Sequence, residues 1–127
     1  MMGKYVDGFV FVVQDDKTEE YLQMARDGAR LWKELGALEY FECKGEDLFP
    51  KPMGPDPLLT FPMMAKAKPG ETVWFSFIVF KSKKHRDEVN AMVNARMEKE
   101  VNNYEGVPMP FDVGRMAYGG FEVVVEG

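Results

Sequence analysis

One cysteine and one histidine occur in the 127 residues, and that scarcity excludes much chemistry. A single thiol closes no internal disulfide, and one thiol with one imidazole falls short of the ligands of a zinc, iron–sulfur or blue-copper centre. A carboxylate site for a hard cation stays open. His85-x-x-Glu88 has the spacing of a metal pair on a helix but no second copy, so neither metal nor cofactor is expected. Basic residues are also short: 16 Lys plus Arg stand against 21 Asp plus Glu, a formal charge of −5. Nucleic acids and anionic membranes capture proteins through a basic face, so neither is an expected partner. No run reaches the roughly 18 apolar residues of a membrane span. Met1 to Asp7 lacks the basic flank and apolar stretch of an export signal, and a soluble cytoplasmic protein is expected.

What is present is an alternation of strand-like and helix-like segments. YVDGFVFVVQ, Tyr5 to Gln14, is rich in β-branched and aromatic residues and reads as a first strand. A first helix follows, with Tyr21, Leu22, Met24, Ala25, Ala29, Leu31, Trp32 and Leu35 on one half of the helical wheel and charged residues on the other. Asp16 is its expected cap, with Glu19 three residues on, and Gly36 its expected stop. LEYFEC, Leu38 to Cys43, reads as a second strand. Between residues 44 and 71, prolines at 50, 52, 55, 57, 62 and 69 predict a long loop with a short extended piece at Phe61 to Lys68. TVWFSFIVF from Thr72 is a third strand, and Ser82 caps a second helix, Lys83 to about Lys99, with Val89, Met92, Val93, Met97 and Val101 at helical spacing. A turn-rich stretch, Asn102 to Gly114, leads to a fourth strand, Met116 to Val125.

This order, β-α-β, long loop, β-α-β, specifies a ferredoxin-like α+β plait: one domain over residues 1–127, with a four-stranded antiparallel sheet carrying both helices on one face. The first and third strands are central in that plait, and here they are apolar at both alternating positions, so the second sheet face must also be buried. The two helices cannot cover it, and a bare patch of that size is foreign to a soluble monomer. A homodimer packed sheet on sheet across a two-fold axis is expected.

The stretches KYVDGFV at 4 to 10, GALEYFEC at 36 to 43, KPGETVWFSFIVFKSKKHRDEVNAMV at 68 to 93 and MPFDVGRMAYGGFE at 109 to 122 resemble the YbaA-like family of uncharacterised bacterial proteins, a domain of unknown function in the dimeric α/β-barrel superfamily. The resemblance implies the fold and the dimer and brings no catalytic residues. The wider superfamily holds monooxygenases, isomerases and haem-degrading enzymes, which often bind a ligand between helices and sheet. That remains an analogy at the level of fold.

Among polar residues, Arg86 falls inside the apolar stripe of the second helix, with His85 and Asn90 at its margins. Placing that helix start beside the start of the fourth strand brings Arg115 and Tyr118 close, and two arginines at a helix N-terminus favour an anion. One reading is a crevice for a small acidic or oxygen-rich ligand. In it Arg86, Asn90 and Arg115 bind the ligand, His85 acts as general acid or base, and Tyr118 donates a hydrogen bond. The other is structural: Arg86 pairs with Asp87 or Glu39, and His85 is merely exposed. Asp7, a carboxylate in a central strand, is placed roughly 20 Å from Arg86 at about 3.3 Å per residue and read as structural. Gly8, Gly119 and Gly120 suggest bulges or close backbone approach. Cys43 and the ten methionines read as packing. Function is left between a cofactor-independent enzyme or small-molecule binder and a non-catalytic dimeric module.

Overall fold

The computed structural model describes residues 3–99 and 109–127. Its strands are β1 (Tyr5–Gln14), β2 (Glu39–Lys44), β3 (Glu71–Phe80) and β4 (Ala117–Glu122); its helices are α1 (Thr18–Glu34), α2 (Phe61–Ala65) and α3 (Lys83–Lys99). The sheet has the order β2-β3-β1-β4, and every neighbouring pair is antiparallel. The most apolar strands are thus central, as their composition requires. The register is unbroken from Tyr5↔Phe80 to Gln14↔Glu71 and from Tyr5↔Glu122 to Val10↔Ala117.

Strand alternation sends Phe9, Phe11, Val13, Trp74, Ile78 and Phe80 to the helix side. There Phe11, Val13 and Trp74 pack with Tyr21 and Ala25 of α1, and Ile78 and Phe80 pack with Val89 and Val93 of α3. Phe9 touches both clusters. Phe11, Phe80, Val89 and Val93 are essentially sealed from solvent, each contributing about 1.5–3 kcal/mol by burial.

Several local expectations change. Asp16 does not cap α1: a 3-10 turn, Asp15–Lys17, comes first, and α1 starts at Thr18 without a side-chain cap. Gly36 does end this helix, at φ 118°. Ser82 caps α3, its Oγ accepting from His85 N–H at 3.1 Å. Phe61 to Lys68 is not extended; five of those residues form α2. Thr60 Oγ1 accepts from Met63 N–H, Pro62 sits in the first turn where no donor is needed, and Lys66 terminates the helix at φ 56°. Strand β4 is shorter than Met116 to Val125, and no bulge interrupts Gly8, Gly119 or Gly120. Cys43 is exposed rather than buried, and Met63, Met64, Met92 and Met97 are about half exposed or more. Val101 and residues 102–108 of the turn-rich stretch lie outside the described residues. No helix of the described residues is long and apolar enough to cross a membrane.

The second sheet face is treated unevenly. Helix α2 and Leu48 roof one end, where Val12, Val73 and Ala65 are buried together, so the chain does have a third helix for part of that task. The other end stays open. Phe121 is 62% exposed and Phe75 43%, and they border an apolar groove of about 610 Å³ with Val6, Val10 and Phe77; Phe41, 44% exposed, packs against Phe77.

Candidate functional site

The polar centre of α3 is built on Asp7, which is 1% exposed. Its Oδ1 accepts from Arg86 Nη1 at 2.7 Å and its Oδ2 from Asn90 Nδ2 at 3.1 Å. Arg86 Nε donates to Asp87 at 2.7 Å, and the guanidinium lies over the Tyr5 ring at 4.8 Å. Burial works against the Arg86 charge, but Asp87 and Asp7 outweigh it and hold its pKa above the ordinary arginine value. Gly120 makes this packing possible, since a Cβ there would meet the Tyr5 ring and, at 2.9 Å, Arg86 Nη1. Asn90 passes the network on: its Oδ1 accepts from Trp32 Nε1 at 3.0 Å.

Of the residues expected here, the structure brings together Arg86, Asn90 and Tyr118. Tyr118 stacks on Phe9 at 4.8 Å and places its hydroxyl 3.5 Å from Arg86 Nη1; burial and then the Asp7 charge raise its pKa. His85 turns back to the helix start, where Nδ1 accepts from Lys81 N–H at 3.0 Å and the ring meets Phe80 edge-on. The placement of Asp7 far from Arg86 is corrected, because in an antiparallel pair the start of β1 lies beside the end of β3, where α3 begins. The same geometry corrects Arg115. It sits before β4, at the opposite end of the sheet, and binds both carboxylate oxygens of Glu71, at 2.7 and 2.6 Å, with Asp112 and the Lys66 carbonyl as further partners.

The hydrogen bonds from Arg115 hold the Glu71 carboxyl down at about 2, against a desolvation effect in the other direction. A depressed folded-state pKa gives stability present above the unfolded value, 4.5, and lost as pH falls toward about 2. Arg115→Ala is therefore expected to lower stability near neutral pH and to flatten its fall in urea titrations between about pH 5 and pH 2. An unchanged acid limb contradicts the pairing.

A second polar cluster stands beneath α1. On β2 the residues facing the helices are Tyr40 and Glu42, opposite Ile78 and Ser76. Glu42 Oε2 accepts from Tyr21 O–H at 2.7 Å and Oε1 from Tyr40 O–H at 2.9 Å. Burial pushes the Glu42 pKa up, partly opposed by hydrogen bonds from Tyr21, Tyr40 and Ser76. Burial, and then the Glu42 charge, raise both phenols. Gly28 of α1 faces the Tyr40 hydroxyl, and a Cβ would stand 2.9 Å from it. That contact accounts for glycine in mid-helix, where alanine is better by about 1 kcal/mol.

These groups line a cavity of about 910 Å³ between α1, α3 and the sheet. Its wall is mainly apolar and aromatic, with Phe9, Phe11, Tyr21, Trp32, Tyr40 and Phe111, and Glu42 and Ser76 face it. Trp32 joins it to the Asp7 network. His85, Arg86, Asn90, Arg115 and Tyr118 are not among the described residues of its wall. A carboxylate on an edge strand reads as solvent-facing, and the parity of Glu42 with Tyr40 is the signal that it turns inward.

Four antiparallel strands in the order β2-β3-β1-β4, with α1 and α3 on one face, define a ferredoxin-like α+β protein. The fold is shared with the crystal structure of a dimeric ferredoxin-like protein from an uncultured marine organism, at a TM-score of 0.63 over 98% of each chain and 12% identity. Residues 4–113 match the family described as "Protein of unknown function (DUF1428)", and the chain belongs to that family. The uncharacterized protein YbaA of Escherichia coli strain K12 is 44% identical over 126 residues, 97% of this chain and 98% of the relative. YbaA of Shigella flexneri matches to the same extent. The resemblance carried by the strand and helix motifs is thus one of family membership.

Proposed function

We propose that this protein binds a small molecule in the cavity between α1, α3 and the sheet, and that two copies pair through the open half of the other sheet face. The cavity carries the reading. Its volume of about 910 Å³ falls in the range of ligand sites, and a mostly apolar wall with a few oriented polar groups is their usual make-up. Tyr21 and Tyr40 fix Glu42 before any ligand arrives. Arg86, Asp7 and Asn90 act here as an internal clamp that joins α3 to β1 and steadies Trp32, while His85 closes the turn before α3. Pairing is supported by the apolar residues that α2 leaves bare and by the dimeric state of the solved ferredoxin-like neighbour. A reducing cytoplasm suits the exposed thiol of Cys43.

The neutral fluorophore N-phenyl-1-naphthylamine tests the cavity. One bound probe per chain is expected, with affinity at least about tenfold weaker in Met24→Trp, which fills the cavity from α1. Equal binding by wild type and variant would place the probe elsewhere, in the first instance on the groove near Phe121, and would overturn the assignment.

A further inference from the structure

We infer that the ligand of this cavity is an apolar molecule bearing an amine, whose ammonium group takes Glu42 as its counter-ion. The inference rests on the cavity being the binding site. Its starting point is the company Glu42 keeps: the groups bonded to it are two phenols and the Ser76 hydroxyl, all neutral. A carboxylate withdrawn from water, as half-buried Glu42 is, normally stands beside a cation. Here the cavity supplies none at that depth.

The cavity's two guanidiniums are already committed. Arg30 lies 3.5 Å from Asp27, and Arg96 lies 3.9 Å from Glu34. Glu98 also belongs to the wall, so carboxylates outnumber cations there. A ligand carboxylate entering this space meets a like charge and no free guanidinium among the described residues. An ammonium meets the reverse. With one phenol on each oxygen and the Ser76 hydroxyl as a third donor, Glu42 keeps one of a carboxylate's roughly four acceptor sites open, and an ammonium has three donors to offer it. The rings of Trp32, Tyr21 and Tyr40 belong to the same wall, and aromatic rings attract a cation that approaches their faces. The apolar remainder of the wall, from Phe9 and Phe11 to Met24 and Leu31, selects a hydrocarbon or aromatic body.

The pH dependence follows. The charged and titratable groups facing Glu42 and its cavity are Tyr21, Asp27, Arg30 and Glu34 from α1, Tyr40 and Lys44 from β2, and Arg96 and Glu98 from α3. Burial drives the Glu42 pKa upward, so amine binding weakens as acid protonates it. A neutral ligand is indifferent to that step.

The test titrates the full-length protein by calorimetry near neutral pH with 3-phenylpropylamine, 3-phenylpropan-1-ol and 3-phenylpropionate, which share one body and differ in the head group. The amine is expected to bind at least about tenfold more tightly than the alcohol, and the carboxylate most weakly. Glu42→Gln, which keeps an acceptor for a tyrosine, is expected to bring the amine to the level of the alcohol and leave the alcohol within about twofold. Should that variant fold poorly, the wild type serves: amine affinity falls with acid while alcohol affinity does not. Carboxylate binding equal to that of the amine, or an amine preference that survives in Glu42→Gln or ignores pH, overturns the inference and leaves the cavity as a site. Failure of all three probes at millimolar concentration overturns the cavity as well.

Discussion

Replacing Asp7 by alanine is expected to lower the free energy of unfolding by about 3 kcal/mol or more and the melting temperature by roughly 10 °C. The side chain removed is 1% exposed and holds two partners from α3. Its loss leaves Asn90 Nδ2 without an acceptor and turns the Arg86 guanidinium toward a methyl group, with Asp87 at the helix surface as its remaining ion-pair partner. Breaking one side of a buried pair costs more than the pair is worth, because the survivor stays desolvated. Arg86→Ala should be at least as damaging, since it strands the deeper of the two charges. Asp7→Asn should fall between wild type and Asp7→Ala. Urea unfolding with an unchanged slope measures all three, and an Asp7→Ala cost below about 1 kcal/mol would show that the junction of α3 with β1 does not depend on this carboxylate.

Combining Phe75→Glu with Phe121→Glu should convert a dimer to a monomer with little loss of fold. Both rings are substantially exposed in the single chain, so the substitutions leave the helix-side core untouched. In a face-to-face pair, four new carboxylates would be buried against apolar surface and one another. Like charges at an interface cost several kcal/mol, which corresponds to a dissociation constant raised by about a thousandfold or more. Light scattering after size exclusion separates the outcomes. A wild-type monomer at micromolar concentration, or a double variant still dimeric, would remove the pairing.

The plait was legible because its signals are local: period-two runs in β1 and β3, a clean two-sided wheel in α1, and Ser82 before α3. Misplacements came from geometry that acts across the sheet. Asp7 and Arg86 are 79 residues apart in sequence, and antiparallel pairing makes them neighbours, as Tyr5↔Phe80 requires. Counting along one strand missed this, and Arg115 was misplaced for the same reason, nine residues of β3 away, or roughly 30 Å. Helix α2 was hidden by proline density, although Thr60-Phe61-Pro62 is a helix start in which proline costs nothing. Glu42 was hidden by type, since strand parity, rather than polarity, decides which way an edge residue faces. Cys43 lies on the opposite side of the same strand, where its apolar neighbours give no hint that one end of the face is bare.

Strand β2 divides two surfaces at a thickness of one residue, with Tyr40 and Glu42 on one side and Phe41 and Cys43 on the other. The four residues leading into it, Leu35 to Leu38, are fastened at Ala37 N–H to Trp32 and at Leu38 N–H to Val79. Adding one amino acid there would exchange the two sets of side chains wholesale. Residues 51–59, all exposed, obey no such parity, and added length in a loop is entropically cheap. Anyone grafting a reporter or epitope into this protein therefore has one tolerant doorway, in the proline-rich excursion, and one to leave shut, between α1 and β2.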